Sequence, residues 1–155
     1  MQKNMKNAFT MIELVFVIVV LGILAAIAVP KFSATRTDAQ IAKARSDISS
    51  IRSSIVTERQ SRLIRGDSAY ISGLSQGTDT LFDGNDSSHQ LLTYGVASGT
   101  DDGHWTTTDT SAPYKNYEFH ISGLDVAFDY NATNGKFICD PADSTTGDMC
   151  KKLVN

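Results

Sequence analysis

The chain is poor in the residues from which catalytic and metal centres are built. Its 155 residues include two cysteines and three histidines. His89, His104 and His120 lie far apart and in no ligand motif, and neither cysteine has a flanking histidine, so the usual zinc ligand spacings are missing. There is no nucleophile elbow and no glycine-rich phosphate loop. These absences argue against an enzyme, and nothing in the chain requires a cofactor. The net charge is only −3, so there is no excess of positive charge to hold nucleic acid directly. The most consequential absence is local. From Leu14 to Val29 no residue carries a charge.

That apolar run begins just after a carboxylate, Glu13. A charge deep in lipid costs roughly 2.5–3.5 kcal/mol, so Glu13 calls for a neighbour that neutralises it. Phe9 to Val29 spans 21 residues, about 31 Å as a helix, which matches a bilayer's hydrocarbon core of roughly 30 Å. Three readings compete. In the first, the segment is a cleaved signal peptide with Lys3 and Lys6 as its basic region and Ala26-Ile27-Ala28 as a small-x-small cleavage site. In the second it is a plain single-pass anchor. In the third it sits first in the membrane and later packs against copies of itself. Glu13 argues against the first reading, and so does the continuation of the helical pattern beyond Pro30. Ile41, Ala44, Ile48, Ile51 and Ile55 fall on one helix face. The pattern predicts one long helix from Phe9 to Arg65, with bends at Gly22 or Pro30.

Charge divides the chain. Residues 1–65 hold ten Lys/Arg and four Asp/Glu, whereas residues 66–155 hold four and thirteen. A dipolar subunit of this kind could stack on copies of itself, although a solvated basic helix and a solvated acidic domain would show the same division. The Lys/Arg count on the two sides of the apolar run places the following domain in the cytoplasm. Cys139 and Cys150 argue for the opposite side, because such a pair suits a disulfide in an oxidising compartment. Two free thiols are the alternative.

The segment Lys6-Asn7-Ala8-Phe9-Thr10-Met11-Ile12-Glu13-Leu14, with the apolar run to Pro30, resembles the N-terminus of type IV pilins and of type II secretion pseudopilins. The resemblance implies a leader, residues 1–8, removed by a prepilin peptidase between Ala8 and Phe9, and N-methylation of Phe9. It implies assembly with copies of itself and with other pseudopilins or pilins, driven by an inner-membrane platform and a cytoplasmic ATPase. Before assembly the segment 9–30 would lie in the bilayer, with the leader in the cytoplasm and the head in the periplasm. Ala8 departs from the family, which usually has glycine there. Glu13 falls at the family's fifth mature position, where it would pair with the new amine on Phe9 of a neighbouring subunit and set assembly register; the alternative is that Glu13, in the first turn where the macrodipole favours an anion, merely caps its own helix at headgroup depth. The expected fold is α+β and pilin-like: a long helix with an amphipathic half, 31–65, packed on a small antiparallel β-meander in a head, 66–155. A pseudopilus subunit for protein export is the leading functional expectation. A type IV pilin, major or minor and including one for DNA uptake, is the next, and a membrane-anchored periplasmic binding domain that never assembles is a third.

Within the head, residues 66–116 read as irregular loop with one short helix at Ser88–Tyr94, capped by Asp86 or Ser87. Trp105 reads as the packing anchor of that loop. Residues 117–155 are more regular. Tyr117, Phe119 and Ile121 alternate with polar residues, and so do Leu124, Val126, Phe128 and Tyr130, the pattern of half-buried strands. Ser122-Gly123 and Asn134-Gly135 are turn signals, Lys136 to Cys139 would be the third strand, and the cysteine loop would tie the tail to it.

Asp79, Asp83, Asn85, Asp86, Asp101 and Asp102 could supply oxygen ligands to Ca²⁺ from flexible loops. The likeness to major pseudopilins, which carry calcium in a C-terminal loop, points the same way for Asp83, Asp86, Asp101 and Asp102, while ordinary solvated acids would look identical. Asn85-Asp86-Ser87 and Asn131-Ala132-Thr133 are N-x-S/T sequons. Asp83 and Asp129, two residues before them, resemble the extended acceptor pattern of some bacterial glycosylation systems. Turn chemistry explains both asparagines equally well.

Overall fold

The computed structural model describes residues 9–85 and 89–155, with backbone alone at 29, 30 and 32–34. The expected leader 1–8, including Ala8, lies outside the described residues, as do Asp86, Ser87 and Ser88. The chain divides after Arg36 into two compact units.

The first element, α1, runs Met11–Ile64, close to the bounds set by the apolar and isoleucine patterns. Gly22 and Pro30, the expected bend points, both lie inside it. In the first unit its apolar side chains from Met11 to Ile27 are exposed.

In the second unit the isoleucine stripe is buried. Ala44, Ile48, Ile51 and Ile55 are at most 2% exposed, and Ile41 packs at the edge of the same cluster. Each such isoleucine contributes about 1.5–3 kcal/mol by leaving water. One turn further the stripe becomes ionic. Glu58 and Arg62 are buried and meet at 3.1 Å, and Arg62 also reaches Asp67 at 3.2 Å. Removing Arg62 would leave the buried Glu58 only Arg65, 3.7 Å away, and removing Glu58 would leave Arg62 only Asp67; breaking such a buried pair costs more than the pair itself contributes. The helix then stops at Gly66, whose φ of 85° takes the left-handed conformation of a helix end. Asp67 N–H bonds the Arg62 carbonyl at 3.0 Å and Gly66 N–H the Leu63 carbonyl at 3.0 Å, which satisfies carbonyls that the helix leaves unpaired.

Among the described residues six strands follow: β1 (Thr80–Leu81), β2 (Val96–Ala97), β3 (Trp105–Thr107), β4 (Asn116–Ile121), β5 (Leu124–Asn131) and β6 (Lys136–Ile138). β1 pairs with β2, and the other four form one antiparallel sheet in the order β3-β4-β5-β6. The β4–β5 register, Ile121 opposite Leu124, leaves Ser122 and Gly123 as a two-residue turn. Their φ values of 53° and 73° are both positive, as the tight hairpin turn requires. The period-two pattern then aims Tyr117, Phe119, Ile121, Val126, Phe128, Tyr130 and Phe137 into the core. On the opposite face Thr106 Oγ1, His120 and Asp125 lie in a hydrogen-bonded row across three strands, with His120 Nε2 2.9 Å from Thr106 and Nδ1 2.6 Å from Asp125.

The expected three-stranded meander is thus extended by β3. Trp105 anchors the loop as expected, but it does so from a strand. Its indole is fully buried, with Phe82 at 5.5 Å, Phe119 at 4.9 Å and Phe128 at 5.2 Å between ring centroids. Its Nε1–H donates to Asp47 on α1 at 3.1 Å. Burial pushes the Asp47 carboxyl above its ordinary value, against the opposing effects of that bond and of Lys43.

Of the short helix expected at 88–94, the described residues 89–94 form none: they are bends and irregular chain. Leu91 and Leu92 N–H bond the carbonyls of Asp83 and Phe82, so distant backbone takes the donors that a helix would have used. Phe82 itself holds a left-handed φ of 61°, a strain of roughly 1–2 kcal/mol for a residue with a Cβ. Its ring is fully buried 4.5 Å from Tyr117, and Ser75 Oγ accepts its N–H at 2.9 Å. Burial raises the Tyr117 hydroxyl pKa and pushes that of Tyr130 up to about 12, so both stay protonated to donate to Tyr114 and Ile71 carbonyls.

The tail holds a further element beyond the expected cysteine loop, α2 (Gly147–Val154). Asp143 receives N–H groups from Thr145 and Thr146 just before it. The Cys139–Cys150 disulfide, with Cα atoms 5.9 Å apart, ties α2 to the end of β6. A bridge closing so short a loop is worth about 3 kcal/mol in the chain-entropy model. Arg45 docks α2 by donating to the Lys152 carbonyl at 2.7 Å. Arg52 donates to the Phe137 carbonyl at 3.0 Å, which occupies an open edge of β6 that could otherwise pair with another chain.

Asp109 clamps the entry to β4. It accepts the N–H groups of Lys115 and Asn116 and the Asn116 side-chain amide. Partial burial opposes ionisation, but these donors outweigh it and hold the carboxyl below its ordinary value. The native state therefore binds this proton less tightly than the unfolded chain does. The stabilisation is present above the ordinary carboxylate range and is lost as pH falls through the depressed native value. Urea denaturation at neutral and acid pH should show the parent losing more stability on acidification than Asp109→Asn; equal losses would remove Asp109 from the acid response.

Candidate assembly and processing site

The residues expected to carry processing and assembly cluster at the start of α1. Thr10 takes the N-cap position, and its carbonyl receives the first helical bond from Leu14 N–H at 3.2 Å. Glu13, three residues on, lies in the first turn. Glu13 N–H donates to Thr10 Oγ1 at 3.3 Å, while Thr10 N–H donates to Glu13 Oε2 at 3.0 Å. The Thr10 hydroxyl adds a third bond, 2.9 Å long, to the same oxygen. This reciprocal arrangement is a capping box, in which each residue satisfies a backbone N–H that the helix start leaves unpaired. The helix macrodipole also favours an anion there.

The arrangement changes what Glu13 can do. Its charge is held at the mouth of the apolar segment by its own chain, on one oxygen. A carboxylate has two oxygens and about four lone-pair sites, so capping leaves capacity for a cation. Phe9 is exposed immediately before the cap. The expected partner, the amine that cleavage would create on Phe9, belongs to a bond whose other residue, Ala8, is outside the described residues. Beyond the cap, Met11–Ala28 is long and apolar enough to cross a membrane.

Thr10 is the capping residue that the reading of charge and hydropathy passed over. The signal was present: Thr-x-x-Glu ahead of an apolar run is the capping-box pattern as well as a family mark.

The remaining expected site residues disperse. Cys139 and Cys150 are joined. Asp83 accepts the Gln76 N–H at 3.0 Å and Asp102 the Gly123 N–H at 3.3 Å, each serving its own loop. The Asp101 carbonyl receives His104 N–H at 3.1 Å. Asp86 lies outside the described residues. Among the described residues no three His, Cys, Asp or Glu side chains gather as a metal site.

Comparison with known proteins bears on the same end of the chain and on the whole of it. Residues 3–29 match the family model described as the prokaryotic N-terminal methylation motif. A fimbrial protein of Moraxella nonliquefaciens is 32% identical over 154 residues, covering 98% of this chain and 88% of that one. No solved structure matches.

Thr10→Ala removes the capping hydroxyl and should loosen the first turn by about 1 kcal/mol. Faster amide exchange at Ile12 and Glu13 in detergent micelles, with exchange near Ile48 unchanged, is the expected result.

Proposed function

The chain belongs to the type IV pilin-like family, and from that premise we propose that it is a structural subunit of a pilus-type filament, cut between Ala8 and Phe9, methylated on Phe9 and polymerised through α1. The observation that carries this reading is the start of α1. Capping engages only one oxygen of Glu13, and an amide could cap as well, so the carboxylate adds at the mouth of the apolar segment a charge that capping alone does not require.

Cleavage by a prepilin peptidase leaves an α-ammonium on Phe9. In a packed filament that ammonium and Glu13 of a neighbouring subunit sit in low dielectric, where their attraction is strong. Each also bears a desolvation cost that is offset only if the two meet. A subunit out of register buries both charges unpaired. The pair therefore selects register more than it adds net stability, and the capping box keeps Glu13 in place until the partner arrives. Before polymerisation the apolar half is solvated by the inner-membrane bilayer. An inner-membrane platform and a cytoplasmic ATPase supply the work of extraction, and the disulfide-bonded head lies in the periplasm.

The full-length likeness to a fimbrial protein favours a pilus over the pseudopilus that the sequence put first. A type II secretion pseudopilus remains the second reading, favoured by the short head and its acidic loops. Both use the same chemistry at Phe9 and Glu13.

N-terminal mass spectrometry of the mature protein should find methylated Phe9 as the first residue. A start at Val29 would restore an ordinary signal peptide, and an untrimmed chain the plain anchor. Glu13→Gln keeps the capping geometry but removes the charge, whereas Glu13→Ala removes both. If register depends on the ion pair, both variants insert, are cut, and lose most filament yield alike. Normal yield from Glu13→Gln would reduce Glu13 to a cap. Filaments sheared from the cell surface mark the pilus; filaments confined to the periplasm mark the pseudopilus.

A further inference from the structure

The two N-x-S/T sequences, each with an aspartate two residues earlier, are treated differently by the fold. Asn85 is committed to the protein. Its Nδ2 donates to Ser72 Oγ at 2.9 Å, and its Oδ1 is buried with no hydrogen-bond partner among the described residues. Drawing that amide into another active site would cost its bond and disturb the loop beside the buried Leu74.

Asn131 is open. It ends β5, where exposure alternates along the strand. Asp129 and Asn131 therefore share the solvent face while Phe128 and Tyr130 enter the core, and Thr133 follows in the exposed turn to β6. Asn131 Oδ1 accepts the Thr133 backbone N–H at 2.9 Å. Among the described residues no acceptor takes Nδ2, and neither the Thr133 hydroxyl nor the Asp129 carboxylate makes a hydrogen bond or ion pair. The turn is closed by Asn134 and Gly135 N–H groups on the Asn131 carbonyl, and by Gly135 at φ 70° against the Tyr70 ring. The turn thus uses the Asn131 amide oxygen and backbone. It has no use for the two side chains that complete the acceptor pattern.

We propose that Asn131 is the acceptor of an N-linked glycan, added to the folded head by an oligosaccharyltransferase from an oligosaccharide carried on a lipid pyrophosphate. The bond from sugar C1 to Nδ2 forms as the bond from C1 to the pyrophosphate oxygen breaks. The displaced Nδ2 proton passes to a carboxylate of the transferase, and the lipid pyrophosphate leaves. An amide nitrogen is a poor nucleophile because its lone pair is shared with its carbonyl. The donor already on Oδ1 stabilises the charge that builds there as Nδ2 loses its proton. The free Thr133 hydroxyl and Asp129 carboxylate are the groups left for the transferase to read. Asn85 stays unmodified.

This proposal rests on the extracytoplasmic placement of the head, which the Cys139–Cys150 bridge reports separately. The full chain is produced in bacterial cells that carry a bacterial oligosaccharyltransferase and its lipid-linked oligosaccharide, then analysed by intact mass and glycopeptide sequencing. The expected result is a mass increase of one oligosaccharide, located on Asn131. Asn131→Gln and Thr133→Ala abolish it, Thr133→Ser retains it, and Asp129→Ala reduces it several-fold. The retained modification in Thr133→Ser guards against loss by misfolding. An unmodified chain with the bridge formed overturns the proposal while leaving the placement standing, as does an oligosaccharide that survives Asn131→Gln. An unmodified chain with reduced cysteines overturns the placement, and the proposal with it.

Discussion

The isoleucine stripe of α1 against the aromatic core is the contact on which the rest of the head depends. Ala44, Ile48, Ile51 and Ile55 join Phe82, Trp105, Tyr117, Phe119, Phe128 and Phe137 in one buried cluster. The sheet has short edges, since β3 and β6 have three residues each. Strands that short have little stability alone, so the helix supplies the apolar surface that holds them. Trp105 joins the two layers directly, through rings on one side and the Asp47 bond on the other. The arginines on the same helix complete the attachment, with Arg45 on α2, Arg52 on β6 and Arg62 on the turn after the helix.

The same helix meets a different requirement at its beginning. Side chains from Met11 to Ile27 stay exposed, which water tolerates poorly and lipid or a neighbouring apolar helix tolerates well. At that boundary the backbone has unpaired N–H groups and the chain has a carboxylate. Thr10 and Glu13 satisfy each other there. One residue thereby closes its own helix and keeps a charge at the mouth of the apolar segment. The placement of Glu13 thus carries a local physical reason beside the proposed one of assembly.

Much of the fold was legible because it repeats. A period of three to four marked the isoleucines, a period of two marked β4 and β5, and Ser122-Gly123 marked the turn between them. β1, β2 and β3 were not legible: two or three residues are too few to show a period, and β6, equally short, was legible through the Asn134-Gly135 turn signal that joins it to β5. The short helix expected before Tyr94 failed for a related reason: local pattern allowed it, while backbone bonds to Phe82 and Asp83 required another course. At the site, Phe9 and Glu13 were visible as a motif, but the role of Thr10 emerged only with the hydrogen bonds.

The sequence by itself determined the family, the apolar span, the long helix and the faces of the main strands. Each of these follows from local order: charge absent over a stretch, apolar residues at a fixed spacing, turn residues between strands. Tertiary structure alone decided that Phe82 would accept a left-handed backbone for the sake of its ring. It decided too that Asp83 and Asp102 would serve separate loops. It also distinguished two nearly identical sequons, one amide drawn onto Ser72 and the other left on an open turn. Those outcomes depend on which distant groups arrive beside a residue, and packing specifies that where spacing along the chain does not.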